Sequence, residues 1–405
     1  MTIYALVSEN SPVKLWGLDS VQRLQRQLKA VHKELAGKFA AIHWLSHASE
    51  IPAKGQILIL NGSFLFESRT LQGVLDKANS ILLHDNGSIA AAFVDSNRAG
   101  EILAQIQDDD QQVPDGIEIL HTRDMEAFDE SLKRSTRPLL EPLTMENKTA
   151  LENRLYGNAY KGITDLVTKF VWPKPAKRVV HVCARLHISP NMVTSFGLLL
   201  VVAACYLFLK GHYAWGLLAG WIMTFLDTVD GKLARVTIQS SQFGHLYDHL
   251  IDLFHPPFWY IYWGMSLLYF APVVWLDQVQ MYWAIVISYI VGRVVEGLFP
   301  LLGQCSIFTW RPFDAWFRLI TARRNPCLIL LTLSILIGRP DWGFIAVTWW
   351  SILTSAILVC RLIQASLIRM RGAPLVSWLS EEDVAVGPHA RSYAVFGATR
   401  GAYAG

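Results

Sequence analysis

The stretch from Asp227 to Asp252 reads DTVDGKLARVTIQSSQFGHLYDHLID and decides the fold. It contains four aspartates: Asp227, Asp230, Asp248 and Asp252. Long hydrophobic and aromatic segments flank it on both sides, as is typical of a chain that lies in a lipid bilayer. Carboxylates within such sequence are costly in free energy, so they mark a candidate functional site.

Hydrophobic runs of about 20 residues, the length that a transmembrane helix needs, follow one another on both sides of this stretch. The sequence predicts six spans, at Asn191–Leu209, Ala214–Val229, Leu246–Phe270, Tyr282–Leu302, Cys327–Ile337 with its flanks, and Trp342–Ile368. Basic residues concentrate in the segments before the first span, after the second, after the fourth and after the sixth. This bias predicts a multi-pass protein of the inner (cytoplasmic) membrane with both termini in the cytoplasm. It also places the aspartates at the cytoplasmic ends of the second and third spans.

Residues 1–140 alternate strand-like and helix-like segments, which predicts a cytoplasmic α/β domain with a largely parallel sheet. The predicted strands are Ile3–Val7, Phe39–Leu45, Gln56–Asn61, Ile81–His84 and Ile89–Val94, and the predicted helices are Leu18–Leu35, Ser68–Ala78 and Arg98–Ile106. The sequence has neither GxGxxG nor GxxxxGK[ST]. In layout the domain weakly resembles sugar-phosphate nucleotidyltransferases. Its first loop has a single glycine, Gly17, and Asn61, Gly62 and Ser63 stand where those enzymes carry a metal-binding aspartate. We therefore expect it to be catalytically inactive.

The remaining segments connect and terminate these parts. Residues 141–188 are predicted to be a linker and a basic amphipathic helix, Ile163–Ile188, that is interrupted at Pro173–Pro175 and lies on the membrane surface. The alternative is a helix that packs on the first domain. Residues 189–371 are the predicted membrane domain, and residues 372–405 are predicted to be a loosely ordered tail.

Charge and cysteine content exclude some classes of function. A net charge of +3 over 405 residues is too small to indicate a nucleic-acid partner. None of the five cysteines forms a CxxC pair, so we expect buried thiols and neither a disulfide framework nor a zinc site.

The spacing of the aspartates predicts a single site. Asp227 and Asp230 share one helix face, and Gly244, Asp248 and Asp252 share another, so two adjacent helices can direct four carboxylates to one point. Such a cluster requires hard divalent cations with oxygen ligands, Mg²⁺ or Mn²⁺, and two ions bridged by carboxylates are a known arrangement for phosphoryl chemistry. Arg235 is suited to a phosphate. The pattern therefore predicts transfer at a phosphate or diphosphate.

The pattern Asp227-x-x-Asp230-Gly231-x-x-Ala234-Arg235, eight residues, Gly244-x-x-x-Asp248-x-x-x-Asp252 resembles the signature of the CDP-alcohol phosphotransferases at every defined position. The resemblance covers residues 188–371. Before the first span, the segment that contains Asn191 and Thr194 is similar to the Pro-Asn-x-x-Thr motif of that family.

The resemblance implies a reaction and a role for each residue. It implies transfer of a phospho-alcohol group, with a phosphatidyl group from CDP-diacylglycerol as the default, to a hydroxyl acceptor with release of CMP, and a homodimer formed through the spans. Asp227, Asp230 and Asp248 would bind the metals, and Asp252 would share in this and act as general base. The implied nucleotide-binding residues are Gly231, Ala234, Arg235, Gly244, Asn191 and Thr194.

The acceptor and two further functions remain open at this point. Arg293 and Glu296 in the fourth span form either an intramembrane ion pair or part of an acceptor pocket. Arginines before the fifth span are topology signals or ligands of a phosphorylated acceptor, and the predicted acceptor-binding residues are Arg293, Arg323 and Arg324. One alternative function keeps the chemistry with a soluble donor such as CDP-inositol. The other is a membrane cation-binding or transport protein.

Overall fold

An α/β region and a helical region make up the protein in a computed structural model, which describes residues 2–35, 38–108, 114, 116–129, 131–267, 277–381 and 385–397. The strands are β1 Thr2–Asn10, β2 Ala41–Trp44, β3 Gln56–Gly62, β4 Phe64–Phe66, β5 Ser80–Leu83, β6 Ile89–Asp95, β7 Glu118–Leu120, β8 Phe128–Asp129, β9 Arg134–Ser135 and β10 Leu140–Pro142. The helices are α1 Ser20–Glu34, α2 Ser68–Leu75, α3 Ala99–Asp108, α4 Lys148–Asn158, α5 Leu166–Phe170, α6 Pro173–Arg185, α7 Pro190–Leu209, α8 Tyr213–Val236, α9 Gln242–Ser266, α10 Gln278–Leu302, α11 Ile307–Trp310, α12 Pro312–Ile320, α13 Arg324–Leu336, α14 Pro340–Met370 and α15 Ala390–Phe396.

The main sheet has six strands in the order β2-β1-β3-β6-β5-β7. Its β2–β1, β1–β3 and β5–β7 pairs are parallel, whereas β6 is antiparallel to both β3 and β5. The sheet is therefore mixed, but five of its six strands run in the same direction, as expected of a largely parallel sheet, and only β6 runs in the opposite direction. The reason is the short β5–β6 turn, which is closed by a hydrogen bond from His84 N to Ser88 O at 3.0 Å with Gly87 at φ +91°. A turn of this length can join only antiparallel neighbours.

Hydrophobic residues are buried on both faces of this sheet. One cluster contains Leu28 of α1, Leu58 and Leu60 of β3 and Leu71 of α2, and the other contains Ile57, Ile59 and Ile102 of α3. These helices occupy the positions that the sequence predicted, and the five predicted strands are confirmed as β1, β2, β3, β5 and β6. The local hydrophobic periodicity was a sufficient signal for each element.

Among the described residues of the helical region, three helices are long and hydrophobic enough to cross a membrane: α7, α10 and α14. Helices α12 and α13, which meet at a 44° bend, make a fourth candidate if they count as one broken span. Long helices also occupy the predicted second and third spans, but α8 and α9 carry the four aspartates, and the last predicted residues of the third span, 268–270, lie outside the described residues. The six spans therefore remain a prediction.

A shared hydrophobic cluster joins the two regions. It contains Trp16, Tyr156 of α4, Val180 of α6 and Leu233 of α8. Arg23 donates a hydrogen bond to Val236 O at 3.0 Å, which ties α1 to the end of α8. The predicted amphipathic helix is thus two helices, α5 and α6, and the buried face of α6 packs against α8. Its position relative to a membrane surface remains a prediction.

The C-terminal segment is more ordered than predicted. Within its described residues it forms a short 3-10 helix, Trp378–Ser380, and helix α15. Trp378 and Phe396 are buried, and Tyr393 donates a hydrogen bond to Ser135 O at 3.0 Å. The expectation of a loosely ordered tail was wrong for this part because these aromatic residues pack into a cluster with α10, α11 and α12.

Candidate active site

Two helices bring the aspartates together. Helix α8 carries Asp227 and Asp230 near its C-terminal end, and helix α9 starts after a short turn, where Ser241 caps it by accepting a hydrogen bond from Gly244 N at 2.9 Å. Carboxylate oxygens of Asp227, Asp230 and Asp248 all lie within 4.8 Å of one another. The geometry is what the spacing of three and four residues predicted.

Asp230 is the most buried of these carboxylates. Its Oδ2 accepts a hydrogen bond from Thr194 Oγ1 at 2.6 Å, whereas its Oδ1 is buried and has no hydrogen-bond partner among the described residues. A buried carboxylate oxygen without a partner is costly in free energy. Oxygen-only ligands at this spacing fit a hard divalent ion such as Mg²⁺ or Mn²⁺. Asp227, Asp230 and Asp248 are therefore the residues that could hold a metal.

Asp252 lies beside this cluster and is paired with an arginine from α13. Arg324 donates to Asp252 Oδ1 and to Asp227 Oδ2, both at 2.5 Å, so one guanidinium bridges two carboxylates from different helices. The Asp252 side chain is 38% exposed, against 21% for Asp227. Asp252 is therefore the more accessible of the two to a reactant. Arg324, predicted to bind an acceptor, contacts the aspartates instead.

Small residues leave space at the helix ends. A methyl group on Gly244 would lie 2.5 Å from Asn191 Oδ1, so a larger residue there would require the Asn191 side chain to move. Arg235 donates hydrogen bonds to Gly231 O at 3.0 Å and Ala159 O at 3.2 Å. These bonds orient the guanidinium along the wall of the site.

A cavity of about 540 Å³ opens in front of these residues. Of the predicted site residues, it is lined by Asp227, Gly231, Arg235, Asp248, Asp252, Arg293, Arg323 and Arg324. Asp230 lies behind this wall, hydrogen-bonded to Thr194. The cavity lining, within the described part of the chain, also lacks four predicted nucleotide-binding residues: Asn191, Thr194, Ala234 and Gly244. The structure thus brings to one cavity three of the four predicted metal ligands, all three predicted acceptor-binding residues and two of the six predicted nucleotide-binding residues.

The far end of the cavity is basic. Glu296 forms ion pairs with Arg293 at 2.5 Å and with Arg323, so the ion pair predicted for Arg293 exists and includes a second arginine, whereas its position in a membrane remains a prediction. Arg318, Lys133 and Lys161 also line the cavity, and their charges interact with one another and with Arg323, so we call these residues its basic end. Altogether eight Lys and Arg residues and five Asp and Glu residues line the cavity, so its wall carries an excess of positive charge.

The two lysines precede the predicted membrane domain, and their surroundings lower their pKa values. For Lys133, burial is the main cause and the neighbouring charges of Lys161, Arg318 and Arg323 add to it, so that its pKa is about 7 despite the opposing effect of Glu296. Lys161 is exposed to the cavity, but the surrounding protein and then Arg235 and the two arginines lower its pKa to about 8. Asp165 shares this wall. Despite burial, its pKa is held below the usual value, chiefly by Arg318 and by its hydrogen bonds to Thr168 and Asn325.

Comparison with known proteins identifies the helical region. Residues 187–371 match the family described as CDP-alcohol phosphatidyltransferase. This matched region is called the CDP-alcohol phosphatidyltransferase domain. This domain begins just before α7 and ends just after α14, so it includes all four aspartates. The suggestion that the N-terminal region is a degenerate nucleotidyltransferase stays a prediction.

The similar proteins have related names. A phosphatidylinositol phosphate synthase of Mycobacteroides abscessus is 29% identical over 140 residues, which are 32% of this chain and 61% of that protein. An archaetidylinositol phosphate synthase of Pyrococcus horikoshii is 39% identical over 82 residues, 20% of this chain and 42% of that protein. Cholinephosphotransferase 1 of Xenopus laevis is 30% identical over 123 residues, 28% of this chain and 29% of that protein. The chain thus spans less than two thirds of each of these relatives.

Several residues of the cavity lie outside the CDP-alcohol phosphatidyltransferase domain and were not predicted. They are Lys133, Lys161, Ile163, Thr164, Asp165 and Thr168. Lys133 and Lys161 come from segments without hydrophobic periodicity, and the other four lie in the predicted amphipathic segment Ile163–Ile188, which was assigned to the membrane surface and not to a site. The one available signal was Gly162, which follows Lys161 and marks a close approach of the backbone.

Proposed function

We propose that this protein is an integral-membrane phosphotransferase that moves a phospho-alcohol group from a CDP-alcohol to a hydroxyl acceptor and releases CMP. The observation that carries the proposal is the convergence of Asp227, Asp248, Asp252 and Arg235 on one cavity, with Asp230 directly behind it. Because relatives named for phosphatidylinositol phosphate and archaetidylinositol phosphate synthesis match this domain, we place the reaction in phospholipid synthesis. CDP-diacylglycerol is the proposed donor.

The metal ligands of the proposed site would be Asp227, Asp230 and Asp248. Bound divalent ions would neutralise the diphosphate of the donor and favour departure of CMP. Arg235, at the cavity wall, supplies a fixed positive charge for the same diphosphate. Gly231, directly in front of Arg235, leaves room for the nucleotide to approach the helix backbone.

Asp252 is the proposed general base. The acceptor oxygen attacks the phosphorus of the phospho-alcohol group, the bond from that phosphorus to the CMP oxygen breaks, and the acceptor proton passes to Asp252. Arg324 holds Asp252 Oδ1 in place, and the Asp252 side chain lines the cavity, where a base could reach the acceptor proton. Positioning and charge neutralisation would supply most of the rate.

The proposal extends to the arrangement in the membrane. Helices α7, α8, α9, α10, α13 and α14 would be the six spans, with the cavity and both termini on the cytoplasmic side and a homodimer formed through the spans. The N-terminal α/β region would catalyse no reaction of its own, because no glycine-rich loop precedes α1. Its contacts with the end of α8 would hold it against the helical region.

The test uses the full-length protein in lipid vesicles with Mg²⁺ or Mn²⁺. A panel of CDP-alcohols, both CDP-diacylglycerol and soluble compounds such as CDP-inositol, is combined with hydroxyl acceptors, and CMP and the lipid products are measured by mass spectrometry. We expect metal-dependent CMP release that Asp227→Asn abolishes. CMP release only with a soluble CDP-alcohol would show that this compound, and not CDP-diacylglycerol, is the donor. No CMP with any donor, together with metal binding, would favour a cation-binding or transport protein.

A further inference from the structure

The basic end of the cavity contains cations that form no ion pair within the described residues. Lys133, Arg318 and Arg323 surround the ring of Phe308, with their charged groups 5.3 to 5.7 Å from its centroid. Arg323 is paired with Glu296, but none of the ion pairs within the described residues includes Lys133, Lys161 or Arg318. Arg318 Nη1 is moreover buried without a hydrogen-bond partner in the part of the chain that the structure describes.

The carboxylates near these cations accept hydrogen bonds or form ion pairs with other groups. Asp165 caps α5 by accepting from the backbone N of Val167 and Thr168, and it also accepts from Asn325 at 2.8 Å. Glu296 is shared by two arginines. Like charges held together repel one another, so an anion in the space between them would be favourable.

Backbone contacts hold the segments of the two lysines against each other. Gly162 donates a hydrogen bond to Leu132 O at 2.8 Å, and a methyl group at Gly162 would overlap the backbone oxygens of Lys133 and Phe396. Lys133 itself has φ +50°, a left-handed conformation that lysine rarely adopts. Such strain persists only where the surrounding structure imposes it, and it is concentrated at functional sites.

The chemistry of this wall selects its ligand. Two ammonium groups and one guanidinium can donate several charge-assisted hydrogen bonds to the oxygens of a phosphate monoester, which carries close to two negative charges at neutral pH. These cations line the same cavity as Asp252, the proposed base. An anionic group bound by them would therefore belong to the acceptor, whose hydroxyl must reach Asp252.

We propose that Lys133 and Lys161, which precede the CDP-alcohol phosphatidyltransferase domain, complete with Arg318 a binding site for a phosphate monoester on the acceptor alcohol. The inference rests on the proposed function. It makes the N-terminal part of the chain a determinant of acceptor specificity, because the domain alone provides only the arginines.

The first test compares an alcohol with its phosphate ester in the CMP-release assay. Glycerol is paired with glycerol phosphate, and inositol with inositol phosphate, using the full-length protein in phosphatidylcholine vesicles with CDP-diacylglycerol. We expect the wild-type protein to use the phosphate ester of a pair. Lys133→Gln and Lys161→Gln should each raise its KM about 10- to 100-fold, the range for loss of a charge-assisted hydrogen bond, and leave the donor KM unchanged. Lys133→Arg should retain a low KM, and Lys54→Gln, at an exposed lysine outside the cavity, is the matched control.

Equal use of the free alcohol and its ester, or a KM effect as large in Lys54→Gln, would overturn the inference and leave the proposed function intact. A second measurement does not depend on catalysis. Inorganic phosphate, added without divalent ions, should raise the thermal unfolding midpoint of the wild-type protein but not that of Lys133→Gln or Lys161→Gln. Stabilisation by vesicles that contain phosphatidate, without any effect of inorganic phosphate, would assign the lysines to a lipid headgroup and also overturn the inference.

Discussion

Replacing Thr194 by valine tests whether the Asp230 carboxylate belongs to a metal site. Thr194 Oγ1 lies 2.6 Å from Asp230 Oδ2 and 3.1 Å from Pro190 O, and both side chains are buried. Valine keeps the shape of threonine but removes the donor to a charged acceptor. Hydrogen bonds to charged groups contribute about 1.5–3 kcal/mol. Loss of such a partner of a metal-binding carboxylate lowers metal affinity about 10- to 100-fold.

The assay is a titration of CMP release with Mg²⁺ and with Mn²⁺. In Thr194→Val we expect the half-maximal metal concentration to rise by about 10- to 100-fold, with kcat at saturating metal close to the wild-type value. Thr194→Ser, which keeps the hydroxyl, should restore the wild-type midpoint. Thr348→Val is the matched control, because its buried hydroxyl bonds only to Phe344 O within its own helix.

Two results would refute this reasoning. An unchanged metal midpoint would show that the Thr194–Asp230 hydrogen bond does not support a metal ligand. A higher KM for the donor at an unchanged metal midpoint would instead assign Thr194 to the nucleotide, as the family resemblance implied.

Three further predictions concern Asp252, Lys133 and Gly162. Asp252→Asn should lower kcat by about 100- to 10,000-fold, the usual contribution of a general base, while binding of a cytidine nucleotide persists; near-normal turnover would contradict the assignment. The KM for a phosphorylated acceptor should rise as the pH passes about 7 and then about 8, because Lys133 and then Lys161 lose their protons there. Lys133→Arg should remove the first part of this rise. A KM that does not change with pH in the wild-type protein would count against both lysines. Gly162→Ala should destabilise the protein by about 1–3 kcal/mol in a thermal or denaturant unfolding experiment, since the new methyl group overlaps two backbone oxygens; Gly100→Ala, which would meet no atom within 4 Å, is the control, and equal effects of the two changes would be inconsistent with the overlap.

The sequence predicted the aspartate site because the information there is local. Within one helix the distance between Asp248 and Asp252 follows from their spacing alone. The strands and helices of the N-terminal region were predictable for the same reason, since each depends on a short periodic pattern. The order of the sheet was not, because it depends on pairing between distant strands. Only the turn at 84–88 carried a local signal for the antiparallel hairpin.

The basic end of the cavity could not be predicted in this way. Lys133 and Arg318 are 185 positions apart in the chain, and they meet only because hairpin β8–β9 is fixed against Gly162 and the C-terminal helix. Arginines of α12 and α13 were recognisable as a group, but their individual partners were not. The positions of Glu296 and of the aspartates decide which of these arginines forms an ion pair. Arg323 pairs with Glu296 and Arg324 pairs with Asp227 and Asp252, whereas Arg318 forms no ion pair within the described residues.

Arg324 shows that the aspartate motif is not a self-sufficient site. It lies 72 positions beyond Asp252, outside the recognised pattern, yet it compensates both Asp227 and Asp252. Two carboxylates facing each other repel, and the guanidinium between them offsets this repulsion. The start of α13 therefore contributes to the proposed chemistry by holding Asp252 at the cavity. In our proposal the acceptor is selected by three cavity cations that form no ion pair within the described residues: Arg318, Lys133 and Lys161.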